Sequence, residues 1–210
     1  MVASGLTGRM VDVASYRLAT HLGLAFVILG VLAWFIWLLR REEMALFQAR
    51  RQRDAAMGRW ANILVAVAFL QILLGALVAG IDAGRGYIDW PLMNGQVLPS
   101  ESFDYTPFWS NFFENPALVQ FNHRLLGYIL FGLAIFVGTQ ARKSAHKDIR
   151  GAFGLIGLAM IVQMILGIVT VLNAAPWHIA ILHQAGAIVL WVLLLRGCFT
   201  CLYPAKQELR

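Results

Sequence analysis

Five apolar runs limit what this chain can become: residues 18–39, 60–81, 117–141, 151–172 and 177–195, called A to E. A hydrocarbon core of ~30 Å takes about 20 helical residues to cross, and each run is of that order. In lipid the backbone must satisfy its own hydrogen bonds, so uninterrupted runs of this length predict helices. The expected fold class is an all-α integral membrane protein with five transmembrane helices, the last four forming a four-helix bundle. Composition agrees: of 210 residues, 60% are hydrophobic and only 13% charged, where a soluble domain carries about 25% charged residues. The net charge of +6 does not point to nucleic acid, because the basic residues sit in loops beside the apolar runs. Residues 1–16 are polar and small, without the apolar stretch of a cleavable signal.

The loops set an expected orientation. Between A and B lie Arg40, Arg41, Arg50, Arg51, Arg53 and Arg59; between C and D lie Arg142, Lys143, Lys147 and Arg150; the tail adds Arg196, Lys206 and Arg210. The other side has Arg9, Arg17 and Arg85 against Asp12, Asp82, Asp89, Glu101, Asp104 and Glu114. The positive-inside rule therefore puts the N-terminus outside and the C-terminus in the cytoplasm. The long loop 82–116 then faces outward, with Trp90, Phe108, Trp109, Phe112 and Phe113 suited to the interface.

Residues 115–127 read Asn-Pro-Ala-Leu-Val-Gln-Phe-Asn-His-Arg-Leu-Leu-Gly, placing His123 and Arg124 about two turns inside run C. Ionisable groups at such depth are costly and mark functional sites by default. His183 lies at similar depth in run E, and His21 in run A, so the three share one level on the outer side. His123 and His183 on facing helices can fill both axial positions of a heme, an electron-transfer arrangement. The alternative is a pair of hydrogen-bonded structural histidines. Arg124 either pairs with heme propionates or snorkels to the outer headgroups. Gln120, Asn122 and Gln184 are candidate partners for the histidines. His21 lacks a matching histidine in this chain and reads as an interfacial polar residue or as half of a second ligand pair. His146 and His178 read as solvated.

A weak repeat relates Gln71-Ile-Leu-Leu-Gly75 of B to Gln163-Met-Ile-Leu-Gly167 of D, and the His21 region of A to the His183 region of E. This divides the chain into residues 1–59, an outer segment with helix A and a basic loop, and residues 60–210, the four-helix bundle. Cys198 and Cys201 have CxxC spacing but sit at the cytoplasmic end of an apolar helix, where small apolar filler is the expectation. Glycines 127, 132, 138, 154, 157 and 167 are expected to let helices approach closely.

Taken together, Tyr16-Arg-Leu-Ala-Thr-His-Leu-Gly, Leu74-Gly-Ala-Leu-Val-Ala-Gly-Ile-Asp-Ala-Gly, Trp90-Pro-Leu-Met, the 115–127 stretch and Leu182-His-Gln-Ala-Gly-Ala resemble the C-terminal part of the heme A synthase family. The resemblance implies eight membrane helices in two four-helix halves, each holding a heme between two histidines. It implies oxidation of the C8 methyl of heme O to the formyl group of heme A, for cytochrome oxidases. By motif, His123 and His183 match the pair that holds a heme b cofactor, and His21 matches a ligand of the substrate heme. The family's first three helices, the second substrate-site histidine and an acidic residue implicated in catalysis have no match here. No catalytic residue is therefore assigned within this chain. Met1-Val-Ala-Ser-Gly-Leu resembles the segment after the third helix, as a fragment or a late-assigned start would give. Some members carry a cysteine pair in an outer loop, and none is present here. The implied partners are heme O, the lipid bilayer, heme O synthase or oxidase assembly proteins, and an unidentified electron-transfer partner. Competing readings are a small bis-histidine b-type cytochrome and a non-catalytic assembly subunit.

Overall fold

The computed structural model describes residues 14–206, and within them every long element is helical. Five helices are long and apolar enough to cross a membrane: α1 (Ser15–Leu39), α3 (Ala55–Gly80), α5 (Pro116–Ala141), α6 (Lys147–Leu172) and α7 (Trp177–Leu202). Two short helices accompany them, α2 (Glu43–Arg51) in the arginine-rich connection and α4 (Asn111–Glu114) before α5. Polar chemistry sets the ends. Asn115 caps α5, its Oδ1 accepting from Ala117 N at 2.9 Å, with Pro116 opening the first turn. Asp54 caps α3 by accepting from Met57 N at 3.0 Å.

The helices outrun the apolar stretches at the basic end. Helix α7 continues past Arg196 to Leu202 because the Arg196 guanidinium lies over the Trp37 and Phe199 rings, each 5.2 Å away. Helix α2 holds Met44 and Phe47 exposed within what reads as a plain basic loop. The α6–α7 turn closes with Ala175 N donating to Thr170 O and Ala174 N to Val171 O. Ala174 and Ala175 take the left-handed conformation there, φ 59° and 51°, where glycine is usual.

Helix α3 packs against α1, α5 and α7, while α6 packs against α5 and α7. Among the described residues, α5 and α7 share no extensive seam, nor do α3 and α6, so each pair stands across a diagonal of the bundle. Helix α1 lies outside this square, using Ser15, Ala19, Gly23, Phe26 and Gly30 as its seam.

The square is internally repeated. Met57, Ala61, Leu64 and Ala68 are the buried positions of the first part of α3; Ile149, Phe153, Ile156 and Met160 recur at the same spacing in α6. Likewise Leu130, Ala134, Val137 and Ala141 of α5 recur as Leu190, Leu194, Gly197 and Cys201 of α7. The pair α3–α5 is thus repeated by α6–α7, with a pseudo-two-fold axis running along the bundle. Cys198 and Cys201 belong to this core, packed as free thiols.

Four glycines do not behave as expected. A Cβ added at Gly132, Gly138, Gly154 or Gly157 would meet nothing within 4 Å, so these positions mediate no helix contact. Close approach occurs instead at Gly23 on Leu73, Gly30 on Trp191 and Leu195, and Gly80 on Ser15.

Candidate functional site

The repeat carries a polar pair in each half. On α5, His123 meets Gln71 of α3: the amide Nε2 is 3.0 Å from the His123 carbonyl oxygen and 3.1 Å from its Nδ1. On α7, His183 meets Gln163 of α6 in the same way, with Nε2 at 2.9 Å from the carbonyl and 3.2 Å from Nδ1. Four residues after each glutamine, a glycine receives the imidazole. A Cβ at Gly75 would lie 3.0 Å from His123 Cε1, and a Cβ at Gly167 would lie 3.0 Å from His183 Cε1. An added Cβ would make each ring give by a few tenths of an ångström.

The packed core stops short of this level. His123 lies seven positions before Leu130 and His183 seven before Leu190, where the main core cluster begins on each helix; on α5 a smaller buried group, residues 117–120, lies on the other side of the histidine. On α6 the last buried residue is Met160, one turn before Gln163. Both histidines are only half-buried within the chain. The two imidazoles thus occupy equivalent positions in the two halves of the repeat, on helices that stand across a diagonal.

The donor set narrows the ligand. Among the described residues no three His, Cys, Asp or Glu side chains gather to hold a bare metal ion. Two imidazoles suit a metal that brings its own equatorial donors, as heme iron does. The glycine seats and the buried, unpartnered Oε1 atoms of Gln71 and Gln163 fit such a group, since each leaves a neutral imidazole an acceptor within reach.

Arg124 is directed elsewhere. About two and a half turns beyond the cap of α5, its Nη1 donates to Asp89 O and Leu92 O, both at 2.9 Å, and its Nη2 to Tyr87 O at 2.8 Å. Among the described residues its buried Nε has no partner. Of the five N–H donors of a guanidinium, three hold the loop. Gln120 also donates to Tyr87 O, at 3.0 Å, and Asn115 Nδ2 donates to Glu101 O at 2.7 Å. The long loop is thereby tied to the start of α5, next to the histidine level.

Its charges are tuned locally. The Tyr87 hydroxyl donates to Glu101; burial first, then this bond, pushes the phenol up to about 12, while the bond holds the Glu101 carboxyl below its usual range. Asp89 is held low chiefly by the backbone N–H of Asn94, then that of Gly95.

His21 is not brought to the pair. Ala19 packs with Ala76 and Gly23 sits against Leu73, so His21 stands at the depth of Gly75 and thus of His123. It is exposed, about 160° around α1 from both seam neighbours. His178 is exposed beside Trp177, ring centroids 5.7 Å apart. Of the sequence-adjacent candidates, Gln184 is exposed and Asn122 half-buried; the partners of the histidines are Gln71 and Gln163. The repeat was the one sequence signal pointing at them.

The family model for cytochrome oxidase assembly proteins (COX15-CtaA) matches residues 1–195. The heme A synthase of Dinoroseobacter shibae is 57% identical over 210 residues, covering 100% of this chain and 55% of that protein. The heme A synthase of Ruegeria pomeroyi is 56% identical over 212 residues, covering 100% and 56%. That of Paracoccus denitrificans is 53% identical over 210 residues, covering 100% and 55%. The chain spans about half the length of these curated relatives. No solved structure matches it.

Proposed function

The chain belongs to the cytochrome oxidase assembly protein family, and from that membership we propose that it carries the heme b-holding half of a heme A synthase. The reaction is oxidation of the C8 methyl of heme O to a formyl group. The observation that supports this best is the repeated Gln–His–Gly arrangement on opposite corners of the bundle. His123 and His183 would be the axial ligands of heme b. When bound, that heme supplies one-electron transfer.

The rest falls to the chain's own residues. Gly75 and Gly167 seat the imidazoles against α3 and α6 and limit their rotation. Gln71 and Gln163 hold the rings by hydrogen bonds from a second helix. Arg124 fastens the long loop over the loop-side end of α5 and offers its two remaining N–H groups to a propionate. His21, at the same depth on the outward face of α1, would bind the iron of the substrate heme O. The second substrate ligand and the catalytic acid would come from beyond these residues. The basic side lies in the cytoplasm, and the histidines lie toward the outer face. Heme O synthase and oxidase assembly proteins are the partner classes for delivery and hand-over, with a separate electron-transfer partner.

The test is a pyridine hemochrome and a reduced-minus-oxidised spectrum of the purified chain, with His123→Ala and His183→Ala in parallel. About one heme b per chain, lost in either variant, is the expected result. Heme retained in both variants would overturn the ligand assignment. Heme O turnover is expected of the longer relatives and not of this chain alone; turnover by the chain would refute the assignment of the substrate site to His21 plus residues elsewhere.

A further inference from the structure

Helix α2 is not explained by the contacts of the chain. It has nine residues, and isolated helices shorter than ~12–15 residues are marginal in water. It contains no buried residue and, among the described residues, shares no extensive seam with another helix. Its N-cap residue, Glu42, accepts no hydrogen bond through its side chain. A surface outside these contacts has to hold it helical.

The two sides of α2 differ. At 100° per residue, the half-buried Ala45, Leu46 and Ala49 fall on one side. Met44, Phe47 and Arg51 fall within about 60° of one another on the opposite side, and all three are exposed, Met44 at 65% and Phe47 at 61%. Charge is uneven along the axis too: Glu43 opens the helix, and Arg50 and Arg51 close it about 12 Å away. Residues 40–59 hold six arginines against three carboxylates. Of the carboxylates, Asp54 already accepts from Met57 N and from the Ser144 hydroxyl. Of the arginines, Arg41 donates to Tyr203 O and Arg53 to Arg50 O. Arg40, Arg50, Arg51 and Arg59 are exposed, and none forms an ion pair among the described residues.

Position identifies the missing surface. Helix α1 ends at Leu39, which is 84% exposed, and α3 begins at Ala55. Three residues join α1 to α2, and three join α2 to α3, links that reach at most about 14 Å. Both ends of α2 are therefore tethered to the ends of membrane-spanning helices. Trp37 and Trp60 lie beside those ends, as tryptophans do at a membrane–water boundary. An exposed apolar pair next to arginines without ion pairs, held at that level, matches a layer of phosphates over acyl chains.

We propose that α2 is a membrane-surface anchor that binds anionic phospholipid. Met44 and Phe47 enter the boundary of the acyl chains, and Arg50 and Arg51, with Arg40 and Arg59 beside them, hold headgroup phosphates. The contacts are apolar and electrostatic, and no bond forms or breaks. The assignment does not depend on the histidines binding heme.

The experiment places the purified chain in nanodiscs of phosphatidylcholine alone or with increasing phosphatidylglycerol. Gln48→Cys, exposed and next to Met44 around the helix, carries a bimane label; Cys198 and Cys201 are buried, and the labelled parent supplies the background. Quenching by nitroxide on the acyl chains reads insertion, and quenching by iodide reads exposure to water. Acyl-chain quenching is expected to rise with phosphatidylglycerol while iodide quenching falls. Each basic residue near an anionic surface strengthens the attraction about fivefold, so Arg50→Gln with Arg51→Gln should lower the apparent affinity for phosphatidylglycerol on the order of twentyfold. Arg50→Lys with Arg51→Lys should retain most of it. Circular dichroism checks that each variant keeps its helices. A label open to iodide in every lipid mixture, or insertion equally deep in phosphatidylcholine alone, would overturn the proposal. So would protection by inorganic phosphate, or protection that follows the number of chains per disc, which would give the face to a second copy.

Discussion

Gly75→Ala and Gly132→Ala make the same chemical change in two helices of one bundle, and the structure sends them in opposite directions. At Gly132 the new methyl meets nothing within 4 Å, so only the helix preference for alanine acts, a gain of about 0.5–1 kcal/mol. At Gly75 the methyl would stand 3.0 Å from His123 Cε1. The ring cannot simply retreat, because Gln71 holds both its Nδ1 and its backbone carbonyl. Overpacking of this kind costs about 1–3 kcal/mol, which outweighs the helix term. The helix term is common to both, so the two variants should differ by the overpacking cost, about 1–3 kcal/mol, and at ~2–4 °C per kcal/mol for a chain of this size by several degrees in Tm. The assay is thermal unfolding in detergent followed by circular dichroism, with the heme-to-protein ratio measured on the same samples. Gly75→Ala should melt below the parent and bind less heme; Gly132→Ala should melt at or above the parent with heme unchanged. Gly167→Ala, whose methyl would meet His183 at the same distance, should repeat the Gly75 result. If Gly75→Ala matches Gly132→Ala in both readouts, the tight seating of the imidazole is refuted.

Further outcomes follow from the loop and the helix ends. Ala174→Gly removes a Cβ from a left-handed C-terminal position and should raise stability by about 1 kcal/mol in the same unfolding assay. Arg124→Lys keeps the charge but cannot span three carbonyls; limited proteolysis should cut within 82–115 at least tenfold faster than in the parent, and an unchanged rate would show that the clasp does not hold the loop. Loop closure should also depend on pH at both extremes. Glu101 is held low, so its contribution is present above the ordinary carboxylate range and fades as pH falls through its lowered value. Tyr87 is raised to about 12, so its contribution is present below the ordinary phenol value and fades as pH rises through about 12. Between those limits hydrogen exchange in the loop should be flat, and in Tyr87→Phe the acid limb should move toward neutral pH.

The helices and the intramembrane histidines were legible because both are local properties. Apolar length announces a span, and a histidine inside one stands out by type alone. What was not legible was pairing. On a helix the next residue points about 100° away, so a neighbour in sequence is rarely a neighbour in space. That is why Arg124 turns to Tyr87, Asp89 and Leu92 while His123 turns to Gln71. It is also why Gln120 serves the loop and Gln184 lies exposed, although both lie close to a histidine in sequence. Glycines read the same way from composition whether they meet a ring, as Gly167 does, or open space, as Gly154 does.

The internal repeat carries information across that gap. Gln71 and Gln163 look like ordinary polar residues in apolar helices, and neither is near a histidine in sequence. Their recurrence with a glycine four residues on was visible in the chain, and the buried positions before them recur at the same spacing. A repeat that preserves only apolar positions is explained by packing. One that also preserves a polar residue at a fixed depth needs a second reason, because an amide among apolar helices costs free energy unless it is partnered. Here each amide is partnered to a histidine of its own half, and the two halves place those histidines at corresponding points about one axis. Exchanging the histidine and glutamine in one half, His183→Gln with Gln163→His, would keep composition and burial while breaking that correspondence. Heme binding should then fall as far as in His183→Ala. Retention of heme by the exchanged chain would mean that the axis, and with it the shared two-fold ligand, has been misread.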